Sequence, residues 1–90
     1  MKQKQRTFKM SRHACQEIER RAIPLDYVES VLHNPQEIVP ERDGKKVYQS
    51  EFDFAEGRTF LVRVLVDDTV EPAMVITAYR TSKINKYRRL

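Results

Sequence analysis

The chain has 90 residues, 40% of them hydrophobic, and its 17 Lys and Arg against 13 Asp and Glu give a formal net charge of +4. This is the size and make-up of one globular domain with a single small core, and two glycines with four prolines exclude a low-complexity or collagen-like chain. The positive excess favours anionic partners without naming one, and a lone cysteine, Cys15, excludes an internal disulfide framework, so a reducing, cytoplasmic setting is expected.

The first six residues, Met1 to Arg6, are polar and expected to be flexible. They are basic but lack a following apolar stretch, so no secretory signal is expected. The longest apolar run lies within Phe60 to Val66 and is broken by Arg63, so no membrane span is expected, and no membrane partner either. Thr7 to Met10 forms a short extended lead-in.

Ser11 is a good N-cap, because its hydroxyl accepts from the free N–H groups of a first helical turn. Met10 and Cys15 stand at the staple positions around it. Ala14, Cys15, Ile18 and Ala22 then recur at helical spacing, which predicts an amphipathic helix to Arg21 or Ala22 with Cys15 as a small core residue. Pro24 breaks this helix and opens the next. Leu25, Val28, Val31 and Leu32 form the second apolar stripe, and Asn34-Pro35 ends it, since the residue before proline is driven out of the helical region.

After Pro35 the period changes to alternation. Glu37 to Glu41 predicts an edge strand, marked by Pro40. Asp43-Gly44 is a hairpin turn. Lys46 to Phe54 alternates, with Tyr48, Phe52 and Phe54 on one side and Gln49, Glu51 and Asp53 on the other. Glu56-Gly57 turns the chain into Thr59 to Val66, apolar on both faces and therefore central. Asp67 to Pro72 is a polar loop, Ala73 to Arg80 is a last apolar strand, and Ser82 is placed to cap a short final helix.

The order α-α-β-β-β-β predicts an α+β domain spanning residues 1–90, a two-helix hairpin on one face of a four-stranded antiparallel sheet with a short C-terminal helix or tail. Phe60, Val62, Val64 and Val66 are expected to meet the helices with Tyr48, Phe52 and Phe54. Met74, Ile76 and Ala78, which carry no hydroxyls, are assigned to the same core. That places Arg63, Thr77 and Tyr79 on the open face beside the basic tail of Lys83, Lys86, Arg88 and Arg89.

No Gly-rich phosphate loop, nucleophile elbow or metal-ligand spacing is present, so neither a cofactor nor a metal is expected. His13 has two readings: a surface pair with Glu17 four residues on, or a proton carrier beside Arg12 at a helix N-terminus, where anions bind. His33 is expected to be exposed near a helix C-terminus. Arg63 inside an apolar strand requires a partner or an open cleft. Its partner would be Glu51, Asp53 or the C-terminal carboxylate, and its functional use would be phosphate binding. Tyr79 either packs at the sheet edge or stacks on a base and moves a proton. The tail cations are either a solvated run or an electrostatic footprint for nucleic acid.

Ser11-Arg12-His13-Ala14, the break at Ile23-Pro24, Asn34-Pro35, and Tyr79-Arg80-Thr81-Ser82-Lys83-Ile84 followed by Lys86-Tyr87 resemble a family of small bacterial proteins described as a domain of unknown function. This resemblance covers residues 8–88, and the family is in turn similar to the RelE/ParE toxin superfamily, its BrnT branch in particular. The resemblance implies a twisted antiparallel sheet with helices on one side. It also implies metal-independent RNA cleavage, in which the 2′-hydroxyl of the substrate attacks the adjacent phosphate. RNA, ribosome-associated RNA included, and a small antitoxin protein are the implied partners. Carried onto this chain, it implies functional positions for Arg63, Tyr79, Arg80, Lys83, Lys86 and Tyr87, whereas Arg12 and His13 match the small family's own motif without an assigned role. With the residue chemistry above, the expected catalytic residues are Tyr79, Arg63 and His13, and the expected nucleic-acid contacts are Arg12, Arg80, Lys83, Lys86, Tyr87 and Arg88. The competing expectation is a non-catalytic module that binds nucleic acid or a protein through the same basic face.

Overall fold

Two interruptions in the helical pattern set the helix layer. In the computed structural model, which describes residues 6–89 without the Glu56 side chain, α1 runs Arg12–Arg20 and α2 runs Leu25–His33. Ser11 caps α1: its hydroxyl accepts from the Ala14 amide at 3.0 Å. At the other end Ala22 sits at φ 53°. The Ile23 amide reaches back to the Ile18 carbonyl and the Ala22 amide to that of Glu19, a Schellman ending with Ile23 buried beneath it. The flexible start expected for residues 1–6 lies outside the described residues except at Arg6, whose guanidinium donates to the Asp68 carbonyl.

The strands are β1 (Phe8–Met10), β2 (Glu37–Pro40), β3 (Lys45–Phe54), β4 (Arg58–Asp67) and β5 (Ala73–Thr81), followed by a short helix α3 (Ile84–Tyr87). Asp43 at φ 60° and Gly44 at φ 75° make the tight turn from β2 to β3 that Asp-Gly predicts. The strand order is β1-β5-β4-β3-β2. The fold is α+β as expected, but among the described residues the sheet has five strands and is mixed. The extended lead-in is a true strand, and β1 pairs parallel to β5, with Phe8 opposite Ala73 and Met10 opposite Val75. The α3 helix is present where a final helix was expected, yet Ser82 does not cap it. Its N-cap is Lys83, whose amide donates instead to the Thr81 hydroxyl.

Ala14, Ile18, Val28, Val31 and Leu32 meet Tyr48, Val62, Val64 and Val66 in one core under the helices. Each fully buried valine contributes about 1.5–3 kcal/mol by leaving water. The β5 contribution differs from expectation. Val75 and Ala78 are fully buried, whereas Met74 and Ile76 are only half-buried. The cause is a bulge: Leu65 faces Thr77 and the next residue, Val66, faces Val75, so Ile76 is an extra residue and the side-chain parity flips across it. Ser11 stabilises that bulge, because its hydroxyl donates to the Ile76 carbonyl and its amide to the Val75 carbonyl. Cys15 is also not a core residue: it is a free thiol on the exposed side of α1.

Candidate functional site

On β4 the side chains alternate between the core, reached by Val62, Val64 and Val66, and the opposite face, reached by Leu61, Arg63 and Leu65. Arg63 faces Gln49 on β3 and Tyr79 on β5. The three polar side chains therefore form one row across the middle of the sheet, on the face away from α1 and α2. Beyond the bulge the parity of β5 still puts Thr77 and Tyr79 on this face, as expected.

Arg63 is only 7% exposed. Neither Glu51 nor Asp53 is its partner, and the C-terminal carboxylate belongs to Leu90, outside the described residues. Among the described residues no carboxylate lies within ion-pair distance of it. Its Nε donates to Gln49 Oε1 at 2.8 Å and its Nη1 to the Tyr79 phenol oxygen at 2.6 Å. Gln49 Nε2 in turn donates to Glu37 Oε1 at 2.7 Å. An amide between an anion and a cation has one sensible orientation, NH2 toward Glu37 and oxygen toward Arg63. The negative charge of Glu37, itself 8% exposed, is thus coupled to Arg63 through one amide. Desolvating an ion costs several kcal/mol, and this chain of hydrogen bonds offsets it.

The basic tail completes the enclosure. After α3 the chain folds back over β3 and β2. The Tyr87 ring lies over Arg63, with Cζ 4.1 Å from the ring centroid, and the Tyr79 ring stands edge-on to Tyr87 at 6.4 Å. The Tyr87 carbonyl accepts from Gln49 Nε2, and the Arg89 amide donates to both Glu37 oxygens. Arg88 Nη1 binds Glu51 at 2.6 Å and Gln36 at 2.9 Å. Arg88 Nε lies 3.4 Å from Glu37 Oε1 without hydrogen-bond geometry, and among the described residues it is buried and unsatisfied. The attraction there is Coulombic only.

Two consequences revise the expected site. Arg88 neutralises acidic groups of the sheet, so it is a structural clasp and not a free phosphate contact. Arg63 lies beneath aromatic rings, so it positions Tyr79 and Tyr87 rather than meeting a phosphate itself. The exposed chemistry is the half-buried Tyr79 and Tyr87 with Lys83 and Lys86, both exposed. Lys86 Nζ lies 5.3 Å from the Tyr87 centroid. A shallow cavity of about 600 Å³ borders this rim, lined by Lys83, Ile84, Asn85, Lys86 and Glu51.

The remaining expected site residues are elsewhere. Arg12 and His13 are exposed in the first turn of α1, in the helix layer, with the sheet between them and Tyr79. His13 has no pair with Glu17, whose carboxylate is taken by Arg20 and Arg21. Those two guanidiniums hold the Glu17 carboxyl at about 2, well below its ordinary 4.5. His33, exposed as expected, faces Glu29 at 3.3 Å. Arg80 points to the helix face, one residue from Tyr79 but on the other side of the sheet, over Phe54 and Phe60. Glu37 and Gln49 were not singled out from the sequence. The signal for Gln49 was its place in the alternation of β3, on the side that Arg63 occupies in β4.

Among the described residues, no group of three or more His, Cys, Asp and Glu side chains is close enough to hold a metal ion. No helix among them is long and apolar enough to cross a membrane. What the tyrosine face presents is phenol and ammonium groups around a buried guanidinium, a chemistry suited to stacking on flat rings and attracting phosphates. Residues 10–80 match the model of a family described as a domain of unknown function, DUF4258. Neither a curated protein nor a solved structure matches the chain.

Proposed function

We propose that the chain, which belongs to the DUF4258 family, binds single-stranded RNA across the sheet face opposite α1 and α2 and cleaves it without a metal. The observation that carries this reading is the Arg63–Tyr79 hydrogen bond of 2.6 Å beneath Tyr87. An arginine has donors only, so the Tyr79 oxygen must accept from it, and the phenolic proton is left free to be given elsewhere. The resemblance to RelE and BrnT toxins supports the same assignment.

In the proposed reaction Tyr87 and Tyr79 stack on bases while Lys83 and Lys86 draw in the backbone. The 2′-hydroxyl oxygen attacks the neighbouring phosphorus and its proton leaves to water. The bond from phosphorus to the 5′-oxygen breaks. Tyr79 delivers its proton to that departing oxygen, and Arg63 stabilises the phenolate left behind. Phenols carry their proton near neutrality, which suits the acid role. The products are a 2′,3′-cyclic phosphate and a 5′-hydroxyl, and Tyr79 is reprotonated from solvent. Incubating RNA with the protein in a chelator and analysing the ends tests this. Cyclic phosphate ends support it, and intact RNA or 3′-hydroxyl ends overturn it.

A second reading is binding without cleavage. It is favoured by one observation: His13 and His33 belong to α1 and α2, across the sheet from Tyr79, so neither imidazole is placed to take the 2′-hydroxyl proton. It predicts an RNA complex that forms and stays intact. Its affinity falls with salt at a slope of about −0.7 per phosphate contacted. Lys83→Ala with Lys86→Ala would reduce that slope by about two contacts. An unchanged slope would remove these lysines from the interface.

A further inference from the structure

At the end of the sheet where β3 turns into β4, the helix face is not covered by helix. Phe54 and Arg58 are opposite each other in the hairpin, and Arg80 is opposite Val62 on the neighbouring strand, so all of them project to the same side. Arg80 Cζ lies 4.5 Å from the Phe54 centroid and 4.7 Å from that of Phe60. Arg58 Cζ lies 5.5 Å from the same Phe60 ring. Pro24 and Tyr27, from the start of α2, close the far wall, leaving a cavity of about 490 Å³.

Two guanidiniums around one ring repel each other. Among the described side chains, neither is within ion-pair distance of a carboxylate and none of those lining the cavity is acidic. Tyr27 is not available as a counter-group, because its hydroxyl donates to the Asp53 carbonyl at 2.6 Å. Cation–π attraction draws Arg80 to Phe54 and Phe60 and Arg58 to Phe60, so both guanidiniums stand at the cavity before a ligand arrives. A tetrahedral dianion matches such a pair: it accepts several charge-assisted hydrogen bonds and relieves the repulsion.

We infer that this cavity is a phosphate-monoester site, with Arg58 and Arg80 as the ligating side chains and Phe54, Phe60 and Tyr27 as an apolar wall able to hold a ring attached to the phosphate. The site is on the opposite face of the sheet from Tyr79 and does not depend on RNA cleavage. A pocket of this size accommodates a mononucleotide. Its phosphate has two sources, a free nucleotide or the terminal 5′-phosphate of a nucleic acid.

The test is a titration of the isotope-labelled protein with inorganic phosphate, adenosine 5′-monophosphate, adenosine, and a short oligonucleotide with or without a 5′-phosphate. The Nε–H signals of Arg58 and Arg80 report binding. Saturable shifts with phosphate and the monophosphate, and none with adenosine, are expected. A tighter monophosphate than 5′-phosphorylated oligonucleotide identifies the free nucleotide as the source, and the reverse order identifies the nucleic-acid end. Arg58→Ala should weaken binding about tenfold or more. Arg80→Ala should do the same, and because Arg58 is exposed its variant serves if loss of Arg80 unfolds the chain. Tyr79→Phe should leave binding unchanged. Absence of saturable shifts at millimolar phosphate and monophosphate, equal shifts with adenosine, or unchanged affinity in the Arg58→Ala protein would overturn the assignment.

Discussion

Arg63 and Tyr79 stand opposite each other on β4 and β5, and the guanidinium donates to the phenol oxygen across the 2.6 Å between them. The same guanidinium binds Gln49 on the other side, so one buried cation ties three adjacent strands together on the face away from the core. Removing it leaves Gln49 and Tyr79 without their charged partner and opens space under Tyr87. Arg63→Ala is expected to cost about 2–4 kcal/mol in urea unfolding. Arg63→Lys is expected to recover only part of this, because an ammonium reaches one partner and loses the planar stack on Tyr87. A lysine variant as stable as the parent would show that charge alone matters.

Ala22 occupies the left-handed conformation that ends α1, at φ 53°. A β-carbon there is strained by about 1–2 kcal/mol, partly offset by the greater freedom of an unfolded glycine. Ala22→Gly is therefore expected to stabilise the fold by about 0.5–1 kcal/mol. Thermal unfolding by circular dichroism measures it, and a lower melting temperature would contradict the Schellman ending.

Glu17 holds Arg20 and Arg21 in the last turn of α1, and its carboxyl sits at about 2 instead of 4.5. A depressed acid favours the folded state above its ordinary value, and that contribution is lost as pH falls through the folded one. Stability should therefore decline between about pH 4.5 and pH 2 on account of this group. Glu17→Gln should flatten that part of the profile. A pH profile unaltered by the substitution would show that the pairing adds nothing.

Glu37 is the anchor of the C-terminal segment, since it accepts from the Arg89 amide and from Gln49 together. Glu37→Gln should loosen the segment and lift Tyr87 from Arg63. Amide hydrogen exchange at Arg89 is expected to rise about tenfold or more, the equivalent of losing one charge-assisted hydrogen bond. Unchanged exchange would mean that the clasp of Arg88 on Glu51 holds the segment unaided.

The parts of this fold that were legible in the sequence are those set by local chemistry. Ser11, Pro24 and Asn34-Pro35 delimit two helices because a cap hydroxyl, a proline ring and a pre-proline clash act within a few residues. Asp43-Gly44 fixes its hairpin in the same way. What was not legible depends on distant partners. A three-residue β1 has no alternation to detect, and its pairing with β5 joins opposite ends of the chain. Ile76 is an apolar residue within an apolar run, so nothing in the run marks a bulge; the Ser11 contact that stabilises it is tertiary.

The site divides similarly. Arg63, Tyr79 and Tyr87 converge as expected, because a cation in the central strand needs partners from its neighbours. Arg80 parted from them because adjacent strand residues face opposite ways. Arg88 was drawn to Glu51 only once the tail folded back. His13 could not join the tyrosines, because α1 must bury Ala14 and Ile18 on the far face of the sheet.

The central claim is that Tyr79 supplies the proton that releases the 5′-oxygen of RNA, and the comparison of the parent with Tyr79→Phe tests it most directly. Single-turnover cleavage in a chelator should fall about 10²–10⁴-fold in the phenylalanine variant, while RNA affinity, which rests on ring stacking and the lysines, stays the same. Equal cleavage by the two proteins, or RNA left intact by the parent, would contradict it.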